Sequence, residues 1–257
     1  MSDIKDINVN QLAEEFKING FIVIEDFIPI DILDRIYKAW LPIRDREIER
    51  LMGISNRGLK RYAIDIPLER PFIEPKIFDH ITLVKLFESI LGKDYIFQDY
   101  SSITPFPGAV YQQWHRDLEP LFPGMMTPTI RVALHIPLVD TTEENGSIEV
   151  IPSSHFIADK ELCRGKWFDH VLGKGPKHIG NYHSIRLNVK RGSIWLLDLR
   201  LLHRGMPNVS NSSRDGLIMH FSRPWFYSGR PLKHMEDTIP RELWNSFSDH
   251  AQKVLRG

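Results

Sequence analysis

The pattern of hydrophobic and polar positions changes once along the chain, near residue 93. Before it, apolar residues recur every three or four positions in VNQLAEEFKING and in HITLVKLFESILG, which predicts two amphipathic helices. Between them, the β-branched run GFIVIEDF predicts a buried strand, and IPIDILDRIYKAWLPIRDREIERLMG predicts a long helix interrupted at Pro42. Residues 53–76 are rich in charge, Gly and Pro, which indicates a loop region. Residues 1–92 are therefore predicted to be mostly helical.

After residue 93, short strand-like runs recur between turn signals. These runs are DYIFQDYSSI, AVYQQWHRD, TIRVALHIPLVD, GSIEVIPSS, SIRLN, GSIWLLD and GLIMHFSRPW. Many short strands after a helical start predict a mainly β sandwich or small barrel with flanking α-helices, with its core at residues 93–230. Residues 156–184 are predicted to be an insertion between strands, of the kind that serves as a lid. We expect one domain over residues 1–257.

Composition narrows the classes of function. The 33 basic and 33 acidic residues balance, so no net field favours nucleic acid or an acidic membrane surface. No apolar run approaches the roughly 20 residues that span a bilayer, and the polar start MSDIKDINVN is unlike a secretory signal, so a cytoplasmic protein is expected. The single cysteine, Cys163, excludes an internal disulfide framework and Cys-rich zinc sites. A bound metal would need nitrogen and oxygen ligands.

The motif WHRD holds the first candidate ligands, His115 and Asp117. In a strand, side chains at i and i+2 project to the same face, so both could reach one ion. The spacing alone is weak evidence for a metal site, because a hydrogen-bonded pair on the protein surface can have the same spacing. His203, at the end of the apolar run GSIWLLDLRLLHRG, is the best-placed third ligand. Two histidines and one carboxylate form the ligand set of non-haem Fe(II) oxygenases.

Arg214 follows His203 by eleven residues, at the start of the last predicted strand. A buried arginine is costly unless it meets a carboxylate, and its planar guanidinium suits a bidentate grip on one. A dicarboxylate cosubstrate beside the metal would satisfy it. A salt bridge to Asp215 or Glu149 is the structural alternative.

Four segments, in order, resemble the phytanoyl-CoA dioxygenase family of Fe(II)- and 2-oxoglutarate-dependent oxygenases. They are NGFIVIEDFIPIDILDRI, WHRD, LVDTTEENGSIEVIPSSH and GSIWLLDLRLLHRGMPN with its following SSR. The resemblance runs from about Leu12 to Trp225, and Ser153 replaces the glycine usual in the third segment. It implies a double-stranded β-helix (jelly-roll, cupin-like) core.

The resemblance also implies a site and a reaction. His115, Asp117 and His203 would be the iron ligands, and Arg214 would hold the distal carboxylate of 2-oxoglutarate. With O₂, the enzyme would hydroxylate a C–H bond of a small metabolite and release succinate and CO₂. Related halogenases replace the ligand carboxylate with Gly or Ala, so Asp117 argues against halogenation. Desaturation, epimerisation and ring formation share the same chemistry and stay open.

Further residues are candidates for the cosubstrate and substrate. Ser102 and His135 are expected near 2-oxoglutarate, although His135 could equally be a core histidine. Four residues are expected to contact the substrate, by strand alternation with His115 or by their place at the end of the last strand; each could instead be an ordinary sheet residue: Tyr111, Gln113, Arg223 and Trp225.

The expected partner is a free small molecule. Basic residues in the variable segments hint at an anionic or polar substrate: Arg57, Lys60, Arg61, Lys166, Lys174 and Lys177. No nucleotide motif supports a CoA thioester, and the sequence does not distinguish a monomer from a homodimer. Two rival functions remain, a cupin-like metalloenzyme that does not use 2-oxoglutarate and a binding module that has lost catalysis.

Overall fold

The computed structural model describes residues 8–118, 121–122, 125–157, 181–226 and 238–256. Its helices are α1 (Val9–Asn19), α2 (Ile30–Arg50), α3 (Pro75–Phe78), α4 (Ile81–Leu91), α5 (Arg241–Trp244) and α6 (Asp249–Arg256). Its strands are β1 (Phe21–Ile24), β2 (Arg61–Asp65), β3 (Ile96–Pro105), β4 (Arg131–Pro137), β5 (Ile148–Val150), β6 (Ile185–Leu187), β7 (Ile194–Asp198), β8 (His203–Gly205) and β9 (Gly216–Ser222). Within these stretches, no helix combines the length and the apolar character needed to cross a membrane.

The strands form two antiparallel sheets. The larger has the order β1-β7-β4-β9-β3-β2, and the smaller has the order β6-β5-β8. Apolar side chains from both sheets pack together, among them Trp195 and Leu197 from the larger and Val150 and Leu187 from the smaller. Two facing antiparallel sheets with helices on one side confirm the predicted mainly β, jelly-roll fold. The prediction of a single domain over residues 1–257 stays a prediction.

The larger sheet separates two layers because its strands alternate. In β4, Val132, Leu134 and Ile136 join the large core that the helices cover, while Ala133 faces the smaller sheet. Period-2 alternation therefore decides which residues of β3, β4, β7 and β9 reach the space between the sheets. That space holds the candidate site.

Several sequence predictions need correction. β2 forms inside the predicted loop region, because Arg61–Asp65 pairs with β3 along Ser101–Pro105. The helix α2 continues through Pro42 to Arg50 without interruption. The segment AVYQQWHRD is not a regular strand; its one bridge joins His115 to His203. Of the predicted insertion at 156–184, residues 158–180 lie outside the described residues.

The turn after α1 is tied to the segment that follows β5. Gly20 closes α1 in a left-handed conformation (φ 81°), and a Cβ there would meet His155 Nδ1 and the Leu201 side chain at 2.6 Å. His155 Nε2 lies 2.9 Å from the Lys17 carbonyl oxygen. Ser153, which is also left-handed (φ 62°), donates from its hydroxyl to the Ile18 carbonyl at 2.8 Å. These contacts offset the absence of the family's glycine at residue 153.

Candidate active site

Three potential metal ligands converge at one edge of the space between the sheets. His115 Nε2 and His203 Nε2 lie 3.8 and 3.5 Å from the two carboxylate oxygens of Asp117. All three ligand atoms lie within 4.8 Å of one another. Both histidines are buried, whereas the Asp117 side chain is 30% exposed. Two imidazoles and one carboxylate grouped so tightly match the donor set that Fe(II) takes in non-haem oxygenases.

The backbone fixes the tautomer of both histidines. His115 Nδ1 lies 2.8 Å from the Gln113 carbonyl oxygen, and His203 Nδ1 lies 2.9 Å from the Leu201 carbonyl oxygen. A carbonyl can only accept, so each Nδ1 carries the proton and each Nε2 presents its lone pair. Hydrogen bonds of this kind orient the imidazoles that bind metals. Each histidine is held by the carbonyl two residues before it.

The charges in this group also favour a cation. Burial acts to raise the pKa of Asp117, but His203 and then His115 outweigh it, so the pKa of the carboxyl lies well below its usual range. Burial acts to lower the pKa of His203, and the carboxylate of Asp117 outweighs that effect and raises it. The carboxylate is therefore ionised at neutral pH, and the site attracts positive charge, as a proton or as a metal ion.

A cavity of about 260 Å³ opens from these three residues into the space between the sheets. Arg214 lines it and presents a buried Nε atom that has no hydrogen-bond partner among the described residues. Neither expected acid forms a salt bridge with it, although the nearby charge of Asp215 acts to raise its pKa against the larger effect of burial. Asp215 binds Arg44 at 3.0 Å and the Trp40 indole at 2.8 Å, while Glu149 binds Arg204 at 2.6 Å. The structural alternative for Arg214 is therefore not seen.

A second arginine, Arg61, lies at the same cavity and is only 1% exposed. Its Nη2 donates to the carbonyls of Val110 and Met206, both at 3.1 Å, and its Nε has no partner among the described residues. Burial, followed by the nearby charge of Arg214, lowers the pKa of Arg61 to about 9. It is still a cation at neutral pH, and the structure gives it no carboxylate in the described residues. Two such cations together predict an anionic ligand.

The family model for phytanoyl-CoA dioxygenase (PhyH) matches residues 16–216. The chain belongs to the phytanoyl-CoA dioxygenase family. The predicted Fe(II) and 2-oxoglutarate dependence is thereby confirmed at the level of the family, and the grouped His115, Asp117 and His203 fit it.

A curated relative agrees with this assignment, and solved structures agree with the fold. The chain is 24% identical to the multifunctional dioxygenase ausE of Penicillium brasilianum over 96% of this chain and 82% of that one. It is similar in fold to HygX from Streptomyces hygroscopicus, solved with nickel, 2-oxoglutarate and hygromycin B (14% identity, TM-score 0.61, 86% and 89% of the two chains). It is also similar to the carbocyclase SnoK from nogalamycin biosynthesis (14% identity, TM-score 0.61, 85% and 88%). At this identity the two structures bear on the fold alone.

In this family member, His135 lies in the cavity wall. Its ring stacks on Trp195 with centroids 3.5 Å apart and an interplanar angle of 9°. Its buried Nε2 has no hydrogen-bond partner in the described part of the chain. Burial lowers the pKa of His135 well below the usual value of a histidine. His135 therefore presents a neutral ring to the cavity.

The dioxygenase also has a polar cluster that the sequence analysis missed. His220 lines the cavity and lies 2.6 Å from Asp99 through its Nδ1. Arg131 donates to the same carboxylate at 2.5 Å. The sequence did hold a signal for this position. Arg214 and His220 are an even number of residues apart in the last predicted strand, so both are expected on the same face of it. Asp99 pairs with His220 across β3 and β9.

Three residues predicted to contact cosubstrate or substrate lie outside the cavity lining. Ser102 is fully buried on the face of β3 away from the cavity, and Ser101 lines the cavity instead. Gln113 and Tyr111 are not among the lining residues, whereas Gln112 is. The reason is that no strand forms before His115, so counting by twos fails there. Gln113 instead serves His115 through its carbonyl, and Tyr111 is 45% exposed, 5.6 Å from the Arg204 guanidinium.

The two candidates at the end of the last strand also lie outside the cavity lining. Arg223 donates to the carbonyls of Thr129 and Ile90 at 2.8 and 3.1 Å, which ties the end of β9 to α4. Trp225 is 61% exposed and packs edge-to-face on Phe226. Of the basic residues predicted to surround the substrate, Arg57 and Arg61 line the cavity, while Lys166, Lys174 and Lys177 lie outside the described residues.

Proposed function

We propose that the protein is an Fe(II)- and 2-oxoglutarate-dependent dioxygenase that hydroxylates a C–H bond of a small metabolite, with release of succinate and CO₂. One observation carries the proposal. A single cavity holds a two-histidine, one-carboxylate group together with two buried arginines that have no carboxylate partner in the described residues. A dicarboxylate cosubstrate that also binds the metal accounts for both features together.

His115, Asp117 and His203 would hold the iron, with their lone pairs oriented before the metal arrives. The two backbone-bonded histidines cannot rotate freely, so the metal would bind without reorganising them. Iron(II), when bound, supplies the activation of O₂ and the oxidative decarboxylation of 2-oxoglutarate that the protein side chains cannot perform. The retained carboxylate of Asp117 fills the ligand position that halogenases of the family leave open, which favours oxygen transfer.

Arg214 and Arg61 would bind the distal carboxylate of 2-oxoglutarate. Both present buried Nε–H groups, and a carboxylate would satisfy these donors and neutralise charge that burial makes costly. Ser101 on β3 and His135 on β4, the two strands that flank β9, line the same cavity. We assign the cosubstrate contact to Ser101 in place of the predicted Ser102.

The rest of the cavity would receive the substrate. Ala133, Leu197, Leu199 and Ile218 line it with apolar surface. Such walls bind an apolar body and exclude water from the reacting groups, which suppresses side reactions. Because two of the compared proteins are named a multifunctional dioxygenase and a carbocyclase, the product has to be identified directly.

Anaerobic titration with Fe(II) and 2-oxoglutarate tests the proposal. We expect a weak visible metal-to-ligand charge-transfer band in the wild type, and loss of that band in His203→Ala. Absence of the band in the wild type would exclude this function. Metabolites that then stimulate succinate release, followed by mass analysis of their products, identify the reaction: one added oxygen for hydroxylation, loss of two hydrogens for desaturation or ring closure.

A further inference from the structure

The Asp99–His220 pair is part of the cavity wall but belongs to none of the roles assigned above. The two residues are direct neighbours on β3 and β9, and His220 Nδ1 lies 2.6 Å from the Asp99 carboxylate. Arg131, from β4, binds the other oxygen of that carboxylate at 2.5 Å. Three strands of the larger sheet therefore hold the imidazole in one orientation.

This orientation determines which ring nitrogen of His220 faces the cavity and whether it donates or accepts a hydrogen bond. A carboxylate oxygen only accepts, so Nδ1 carries the proton. In the neutral ring, Nε2 is then a hydrogen-bond acceptor, and it has no partner among the described residues. The side chain is 17% exposed and lines the cavity. Arg131 pairs with the same carboxylate, so Asp99 is shared between a cation and the imidazole.

The position of His220 separates it from the cosubstrate. Arg214 precedes β9 by two residues, and His220 lies near the other end of that strand, six residues further along the chain. The ligand at the Arg214 end of the cavity would be the cosubstrate, and the ligand at the His220 end would be the substrate.

Beyond Asp99 and Arg131, part of the cavity wall next to His220 is apolar. Ala133 lies opposite it on β4, Ile218 precedes it on the same face of β9, and the stacked rings of His135 and Trp195 follow along the wall. A hydrogen-bond acceptor beside such an apolar surface fixes the orientation of a bound molecule.

We propose that His220, positioned by Asp99, is the residue that recognises the substrate, and that it accepts a hydrogen bond from a hydroxyl group on a largely apolar molecule. This proposal rests on the proposed oxygenase function and names the substrate class, an apolar alcohol in place of the anion that the basic residues of the sequence suggest. It also explains why a buried carboxylate lies behind the imidazole.

The test uses two probes with the same six-membered carbon ring, cyclohexanol, which can donate a hydrogen bond, and cyclohexanone, which can only accept one. The full-length protein is labelled with ¹³C and ¹⁵N at its 11 histidines, loaded with 2-oxoglutarate, and carries Zn(II) in place of Fe(II) to prevent turnover. The His220 signals are assigned from their loss in His220→Phe. His183→Phe, at an exposed histidine outside the cavity lining, is the matched control.

We expect cyclohexanol to shift the His220 signals saturably and to bind roughly fivefold more tightly than cyclohexanone, the factor expected for one net hydrogen bond. Binding of each probe to the variants is measured by saturation transfer to the ring protons of the probe. The preference for cyclohexanol should be lost in His220→Phe and kept in His183→Phe. Equal binding of the two probes, a preference that survives in His220→Phe, or no saturable shift at His220 would each overturn the proposal. The Fe(II)/2-oxoglutarate band, measured separately, reports on the oxygenase function alone.

Discussion

His115 and His203 are paired through their backbones. Each N–H donates to the carbonyl of the other residue, at 3.1 and 3.0 Å, in an isolated antiparallel bridge. The two imidazoles extend from this bridge with ring centroids 4.4 Å apart. The separation of the two nitrogen ligands is therefore set by main-chain hydrogen bonds, and only Asp117 reaches the group from a residue outside the bridge.

Removing the carboxylate should abolish tight metal binding while the backbone bridge persists. We expect Asp117→Ala to weaken Fe(II) binding by more than the roughly 10–100-fold that loss of an outer-shell partner costs. Gln113→Leu is the matched control, because Gln113 supports His115 through its carbonyl and its side chain lies outside the cavity lining. The measurement is anaerobic titration followed by the visible band. Equal affinities in the two variants would remove Asp117 from the ligand set.

Arg61 should matter for the cosubstrate beyond its part in the fold. Arg61→Met removes one charge-assisted partner of the dicarboxylate, a loss of about 1.5–3 kcal/mol, so the affinity for 2-oxoglutarate should fall roughly tenfold or more. The readout is the rise in melting temperature that 2-oxoglutarate produces in metal-loaded protein, which should shrink strongly.

Arg223→Met is the control for this experiment. Arg223 also donates to two backbone carbonyls, but it lies outside the cavity lining. Both variants should melt earlier than the wild type without ligand, and only Arg61→Met should lose the ligand-induced rise. A full rise in Arg61→Met would leave the dicarboxylate to Arg214 alone.

Much of the site was readable from sequence because it depends on short spacings. His115 and Asp117 are two residues apart, and Arg214 follows His203 by eleven residues. These short separations make the relative positions predictable from the sequence. The expected partners of Arg214 could be named but not checked, since the ion pairs of Asp215 and Glu149 join distant segments.

The features that the sequence analysis placed in the wrong local structure, or did not find, depend on long-range pairing. Arg61 lies in a segment with the composition of a loop, and it becomes a buried strand residue only because β2 pairs with β3. Likewise, the segment before His115 has the composition of a strand but forms only a single bridge, which shifts the cavity contact from Gln113 to Gln112. His220 has no local motif at all, since its partner Asp99 is far away along the chain.

The register of β3 predicts opposite results for two adjacent serines. Ser101 lines the cavity, so Ser101→Val should reduce substrate-stimulated succinate release with little change in stability. Ser102 is fully buried on the other face, and its hydroxyl has no partner among the described residues. Ser102→Ala should therefore keep full activity and leave the free energy of unfolding unchanged or higher by about 1 kcal/mol. Chemical denaturation and a succinate assay measure the two effects, and a loss of activity only in Ser102→Ala would reverse the assignment.

His135 should make the metal-free protein sensitive to acid. Burial keeps the pKa of its imidazole well below the usual value, so the folded protein does not take up a proton there as the pH falls, while the unfolded chain does. Proton uptake therefore favours unfolding below about pH 6.5, and the stabilising effect of the neutral ring is fully present only above that pH. Between pH 7.5 and 5.5 this one group should lower the free energy of unfolding by about 1.4 kcal/mol.

His135→Phe isolates this effect, because phenylalanine keeps a ring to stack on Trp195 and cannot be protonated. Denaturant unfolding in EDTA at the two pH values should give a smaller loss of stability in His135→Phe than in the wild type, by about 1.4 kcal/mol. His183→Phe, at an exposed position, should behave like the wild type. Equal losses of stability in His135→Phe and the wild type would contradict this prediction. They would mean that His135 is protonated in the folded protein as readily as in the unfolded chain, so that the cavity wall carries a positive charge at low pH.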